Sequence, residues 1–199
     1  SAIGNNNIAS GTNSSAIGSE NAATGKNSTA VGASNTASGK NSTAIGYDST
    51  AAGKNSTAIG GGTTTKKATD AVAIGDNATA VVKDGVALGS DSLANVKAGE
   101  VGYLAPSSEV DSLTTDSTTN ATWVSTRSAV SIGDATQGIT RQITGVAAGT
   151  QDTDVANVAQ LKASSSSVEA GSNIEVSANS TTSGTVYTVG LQNDINLNS

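Results

Sequence analysis

The sequence predicts an all-β chain whose first half is a parallel β-solenoid, followed by a short neck with a helical end and a small β module. Three observations carry that expectation. Asn27-Ser28-Thr29-Ala30-Val31-Gly32 returns 14 residues on as Asn41–Gly46 and again as Asn55–Gly60, with earlier copies at Asn13–Gly18 and Ser1–Gly4. A second phrase, Ala23-Thr24-Gly25-Lys26, recurs at Ala37–Lys40 and Ala51–Lys54, after Ala9-Ser10-Gly11-Thr12. A fixed short period marks a solenoid, in which each repeat packs only on its neighbours. Finally, the period is too short for two helices, but it suits two short strands and two tight turns.

Glycines supply the corners. Gly4, Gly18, Gly32, Gly46 and Gly60 fit one turn, and Gly11, Gly25, Gly39 and Gly53 the other. Both columns are expected to exploit φ > 0, a region that Asn also tolerates. Strand alternation then sorts the faces. Ala30 and Gly32 share a side with one another, as do Ala23 and Gly25, and these small columns are expected to meet inside the coil. The two sheets would then lie closer than the usual ~10 Å.

The column Ile3, Ile17, Val31, Ile45 and Ile59 is left pointing outward. A continuous exposed apolar stripe is not normal on a monomer. Packing against the same stripe of other, parallel chains would bury it. Composition points the same way. With 199 residues, 35% hydrophobic content, no Phe, no Met and one Trp, the chain has little apolar bulk for a conventional core. Such a Gly/Ser/Thr/Asn-rich composition otherwise reads as a linker, but a linker has no reason to hold Ile in register.

Charge and missing residue types narrow the function. The net charge of −6 argues against general nucleic-acid binding. Absence of Cys removes disulfides and thiolate metal sites, and absence of His removes the commonest general base and nitrogen ligand. No cofactor and no enzymatic activity are expected. No signal peptide or apolar run of membrane-spanning length is visible. Because Ser1 opens in mid-repeat, the chain reads as a fragment of a longer protein.

After Gly60 the pattern shifts. Residues 61–70 admit one extra residue, and the phrase resumes at Val72-Ala73-Ile74-Gly75 and Val86-Ala87-Leu88-Gly89 before fading at Val101-Gly102. The second glycine column becomes Val82 and Val96. Residues 71–102 are therefore expected to be degenerate closing coils, giving a head over 1–102 whose stripe continues through Ile74 and Leu88. Residues 103–127, with Tyr103, Pro106 and Trp123, form a connector. It is either a surface loop or a cap in which Trp123 closes the open end, where three rings would meet in a threefold oligomer.

Residues 128–162 differ in kind. Asp152-Thr-Asp-Val-Ala-Asn-Val-Ala-Gln-Leu-Lys162 predicts a short helix, with Val155, Val158 and Leu161 on one face and Asp152 and Asp154 at its start. Such a helix is marginal alone and needs partners.

At this point a family resemblance is visible. The repeats resemble the Asn-Ser-Val-Ala-Ile-Gly motifs of YadA-like heads in trimeric autotransporter adhesins. Arg141-Gln-Ile-Thr-Gly-Val-Ala-Ala-Gly-Thr-Gln-Asp-Thr-Asp-Val-Ala-Asn-Val-Ala-Gln-Leu-Lys162 is similar to their neck motif. The likeness covers roughly residues 1–102 and 128–162. It implies a trimer of left-handed parallel β-rolls on a Gram-negative cell surface, held by an outer-membrane anchor missing from this fragment. It further implies attachment to extracellular-matrix protein such as collagen, or to a cell-surface receptor. Thr29, Thr43 and Thr57 depart from the motif, which has Val there. In residues 163–199, Gly171–Val176 and Thr185–Leu191 alternate like strands around a turn at Asn179–Gly184. They resemble the small Gly-Asn-Ile modules that alternate with necks in the same adhesins.

Other constellations are weaker. Gly25-Lys26, Gly39-Lys40 and Gly53-Lys54 lack the spacing and following Ser/Thr of a phosphate loop. Asp76, Asp84 and Asp91 lack the clustering of calcium loops. The Asn-Ser-Ser/Thr triplets at 13, 27, 41 and 55 match glycosylation acceptors but read as stacked turn residues. Arg141 is placed as a partner, across chains, of Asp152 or Asp154. A ligand-binding face is assigned to Lys26, Lys40 and Lys54 with Thr24 and Ser38 on the outer sheet; the alternative is that these lysines only keep the surface soluble. The leading function is an adhesin head. The alternative is an ice-binding solenoid that uses the Thr29, Thr43, Thr57 column.

Overall fold

The computed structural model describes residues 1–103, 121–165, 167–181 and 184–195. The chain divides into two compact units, Ser1–Thr144 and Gly145–Ser199. Pro106 and positions 182–183 of the expected turn lie outside the described residues.

The first unit is a parallel β-solenoid. Its first sheet contains Ala2–Asn5, Ser15–Ser19, Thr29–Ala33, Thr43–Tyr47, Thr57–Ile59, Val72–Ile74, Val86–Leu88 and Val130–Ser131, in that order. The second sheet stacks seven two-residue strands, from Ile8–Ala9 to Leu93–Ala94. Register is one coil to the next: Ala16 pairs with Ala30, Ala30 with Ala44, and Ala44 with Ala58. Every strand pair in the solenoid is parallel, because each coil runs the same course as the last.

The interior is alanine. Ala16, Ala30, Ala44 and Ala58 of the first sheet and Ala23, Ala37 and Ala51 of the second are fully buried and form one cluster. Ala73, Ala87, Ala80 and Ala94 continue it in a second. Gly25, Gly39 and Gly53 are buried as expected, whereas Gly32 and Gly46 sit half-buried at the corner rather than in the core.

Two ladders of asparagine tie the corners, and they differ in burial. At the first corner Asn21 and Asn35 are buried. Asn35 Nδ2 donates to Asn21 Oδ1 at 2.9 Å, to Val31 O at 3.0 Å and to Gly46 O at 2.7 Å, while its Oδ1 accepts from Ser49 N at 2.9 Å. Asn21 repeats the pattern on Asn7, Ile17 and Gly32. At the second corner the glycosylation-like asparagines form an exposed ladder. Asn27 Nδ2 donates to Asn41 Oδ1 at 3.0 Å and Asn41 Nδ2 to Asn55 Oδ1 at 2.8 Å.

The glycine expectation holds at one corner and fails at the other. Gly18, Gly32 and Gly46 have φ of 118–121°. Gly25 and Gly39 do not use positive φ; Asn27, Asn41 and Asn55 carry the left-handed residue there, at φ 55–57°. Gly25 and Gly39 are required for a different reason: a Cβ on either would overlap the carbonyl oxygen of the glycine one coil on. Close stacking, not conformational freedom, fixes that column. The constraint lapses where the corner widens. Thr57 pairs with Val72, fifteen residues on, and Ala68 then follows Gly53 in the column. Val82 takes the next place, with Gly85 N donating to Val82 O as Ser56 N does to Gly53 O.

The closing coils also differ from expectation. Val101 does not continue the first sheet; it bridges antiparallel to Val124, and Gly102 N donates to Trp123 O at 2.6 Å. The last strand of that sheet is Val130–Ser131, paired in register with Val86 and Ala87. The first sheet is thus finished by a strand that follows residues 103–127 in the sequence. Asp134 closes the end. Its buried carboxylate accepts from Thr136 N, Thr136 Oγ1 and Gln137 Nε2.

In the second unit the helix spans Val158–Ser164, shorter than expected. Its N-cap is Asn157, in a capping box with Gln160. Asp152 and Asp154 do not start it. Asp154 Oδ2 instead accepts from Thr150 N at 2.9 Å and Gln151 N at 3.0 Å, closing a turn ahead of the helix. Gln160 clasps that loop, accepting from Gly149 N and donating to Gly149 O, both at 3.0 Å. An antiparallel hairpin follows, Ile174–Thr181 against Gly184–Leu191, with Val176 opposite Val189.

Candidate functional site

With alanine inside, large apolar side chains have only the outer face. Ile3, Ile17, Val31, Ile45, Ile59, Ile74 and Leu88 stand in one column, each paired in register with the next. Ile3, Ile17, Ile45 and Leu88 are exposed at 59, 39, 38 and 46%, and Val31, Ile59 and Ile74 are half-buried. Beside them runs Thr29, Thr43, Thr57, Val72, Val86 and Val130. The stripe therefore broadens toward the end of the solenoid. The sequence reading missed Val130, although Ala129-Val130-Ser131-Ile132-Gly133-Asp134 repeats Ala71-Val72-Ala73-Ile74-Gly75-Asp76 with one change.

The second unit presents the same kind of surface. Val155, Val158 and Leu161 are 61–68% exposed, and Val189 and Leu191 lie open on the hairpin. Trp123 is half-buried beside Gly102.

Polar candidates occupy the edges. Thr24 and Ser38 are exposed just past the short strands of the second sheet. Lys26, Lys40 and Lys54 lie not on that sheet but in the turns that lead out of it, since each strand is only two residues long. Their carbonyls accept from Asn41, Asn55 and Asp70 N at 2.8 Å, so they stack coil on coil. Lys83-Asp84 occupies the place of Lys54-Asn55, with Asp84 N bonded to Thr69 O. Lys66 and Lys67 fill the widened corner. The period shift hid these three lysines from the sequence reading.

Arg141 binds within its own chain. Its guanidinium donates to Ile132 O, to Ser90 O at 2.7 Å and to Ser92 Oγ at 3.4 Å, covering carbonyls at the end of the solenoid. Hydrogen bonds to Asp154, foremost from the Thr150 amide, hold its carboxyl below the ordinary value. Asp134 is lowered likewise, with the Thr136 hydroxyl as the largest cause. Among the described residues no cluster of three or more His, Cys, Asp or Glu could hold a metal ion, and no helix is long and apolar enough to cross a membrane.

Known proteins share both parts of this architecture. The family described as the YadA head domain repeat matches residues 1–21, 23–49, 37–63 and 67–92. The coiled stalk of trimeric autotransporter adhesin matches residues 142–188. Trimeric autotransporter adhesin AtaA of Acinetobacter sp. (strain Tol 5) is 42% identical over 110 residues, covering 50% of this chain. Autotransporter adhesin BadA of Bartonella henselae is 66% identical over 41 residues, covering 21% of it. The matched regions span only 3% and 1% of those relatives' lengths. Head repeats matched within residues 1–92, a stalk match over residues 142–188 and these relatives place the chain among the trimeric autotransporter adhesins.

Proposed function

We propose that this chain is part of the head and upper stalk of a non-enzymatic bacterial surface adhesin, held at the outer membrane by an anchor elsewhere in the protein. It works as a parallel homotrimer, in which the Ile/Leu stripe, Trp123 and the Val155, Val158, Leu161 face each meet the same residues of the other copies. The observation that carries this is the stripe itself. An unbroken apolar column across the coils, above a core of alanine, is a surface in need of a partner. A second copy in the same register supplies an identical stripe at every coil. Light scattering coupled to size exclusion tests the trimer; a stable monomer at micromolar concentration would overturn it.

Attachment is to extracellular-matrix protein such as collagen, or to a cell-surface receptor, through the exposed lysine turns with Thr24 and Ser38. Coils this thin, filled with alanine, favour an extended surface over an internal cavity. Repeated weak contacts along such a surface add through multivalency. An array of matrix proteins probed with the chain, beside a Lys26→Glu/Lys40→Glu/Lys54→Glu variant, tests this. Binding to no matrix protein, or unchanged binding by the variant, would refute the assignment.

A further inference from the structure

Charge is sorted between the two edges of the solenoid. Every lysine up to position 97 lies at the second corner or its continuation: Lys26, Lys40, Lys54, Lys66, Lys67, Lys83 and Lys97. The acidic residues Glu20, Asp48, Asp76 and Asp91 lie at the first corner. Among the described residues of the second corner and its continuation, Asp70, Asp84 and Glu100 oppose the lysines. Asp84 is engaged by Arg127 at 2.9 Å, the ion pair among the described residues. An acidic chain thus carries one basic edge about 24 Å long, at ~4.8 Å per coil.

The edge ends in a groove of about 510 Å³, lined among others by Lys67, Lys83, Lys97, Arg127, Thr126 and Ser128. We propose that this groove and edge bind a linear sulfated polysaccharide, the groove seating one segment and the lysine turns tracking the rest. This rests on the reading above that the lysine edge is the binding face. Among the described residues the groove lining contains no aromatic ring on which a nucleic-acid base could stack. Planar carboxylate is best held by a bidentate arginine fork, and Arg127 already gives one N–H to Asp84 at 2.9 Å. Among the described residues the lining is dominated by lysine point charges with two hydroxyls, which matches sulfate groups spaced along a sugar chain. Each exposed contact is weak, so a long polyanion gains where a single anion would not.

The test uses the full chain with heparin, fully desulfated heparin, polyglutamate and single-stranded DNA as probes, in a salt series. Heparin is expected to bind, more weakly as salt rises, and the other three at least tenfold less. Lys67→Glu/Lys83→Glu/Lys97→Glu should weaken heparin roughly tenfold or more and flatten its salt dependence, whereas Lys162→Glu should change nothing. Lys83→Gln/Lys97→Gln provides the reading if the triple variant loses its circular-dichroism melt. Equal binding of desulfated heparin, polyglutamate or DNA overturns the proposal, as does unchanged heparin affinity in a folded groove variant. Matrix binding without heparin binding would sink only this inference. Heparin binding without matrix binding would sink only the matrix reading.

Discussion

Replacing Asn35 by Ala isolates what the buried ladder contributes. Asn35 has ordinary backbone geometry, since Ser34 holds the positive φ at that corner, so the substitution carries no backbone strain. It removes the acceptor of Ser49 N and the donor to Asn21 Oδ1, Val31 O and Gly46 O, all at 2.7–3.0 Å, the first two buried and the last two part-buried. Orphaning one buried donor costs about 1–3 kcal/mol, and the lost carbonyl partners add to it. The expected loss is about 3–5 kcal/mol per chain. Asn27→Ala is the matched control on the exposed ladder. It gives up bonds at 3.3 and 3.0 Å that water replaces, plus about 1–2 kcal/mol for an L-residue with a Cβ at φ 55°. Asn27→Gly separates those two effects by removing the second. Urea unfolding followed by circular dichroism, at one fixed protein concentration, reads all three. An Asn35→Ala loss no larger than that of Asn27→Ala would refute the claim that the buried ladder holds the coils together.

Three further outcomes are expected. Ile45→Asp places a carboxylate on the apolar stripe, and in a trimer three of them meet, at a cost of several kcal/mol per ion. Thr24→Asp on the open side should be nearly neutral, and equal losses in melting temperature would show the faces wrongly assigned. Gly39→Ala should lower the melting temperature far more than Gly60→Ala, because a Cβ at 39 meets the Gly53 carbonyl while one at 60 meets only open space and a φ of 67°. Asp134 and Asp154 have folded pKa values below the ordinary 3.8. Their contribution is present above the unfolded value and is lost as pH falls through the folded one. An acid titration of stability should therefore steepen below about pH 4, and Asp134→Asn should flatten it.

Most of the solenoid was legible because its code is local and repeated. Alternation along Thr29-Ala30-Val31 is enough to put Ala30 inside and Val31 out, and the structure agrees from Ala16 and Ile17 through Ala87 and Leu88. Three features were harder to read. Asn7, Asn21 and Asn35 keep the same 14-residue spacing as Asn13, Asn27 and Asn41, yet nothing in composition says which column faces inward. Burial is decided by the turn, where Gly18 and Gly32 swing the following residues under the next coil. The return of the chain at Val130 was written in Ala129–Asp134, but a long stretch of sequence separates that phrase from its neighbour, and period-based reading assumes contiguity. The helix start was misplaced because acidic residues drew attention from the Asn157/Gln160 capping box. Asp154 serves a turn three residues upstream of the cap.

The division of labour between hydrogen bonds and apolar surface follows from one choice, alanine in the core. An alanine column lets two sheets approach closely, but each methyl buries little area, so the interior supplies little of the ~25 cal/mol per Å² that drives an ordinary core. Register within the chain must then come from polar columns that repeat with the coil: the Asn21–Asn35 ladder and the glycines stacked carbonyl on carbon. The larger side chains are thereby released to the outside, Ile on the first sheet and lysine at one edge. Neither is needed to close a coil, so each is free to meet something beyond the chain. The same short period thus sets up two continuous interfaces at once, an apolar one that suits identical copies and a basic one that suits an extended anion. Coils can be added to the stack without redesigning either, since every new repeat lengthens both by the same ~4.8 Å.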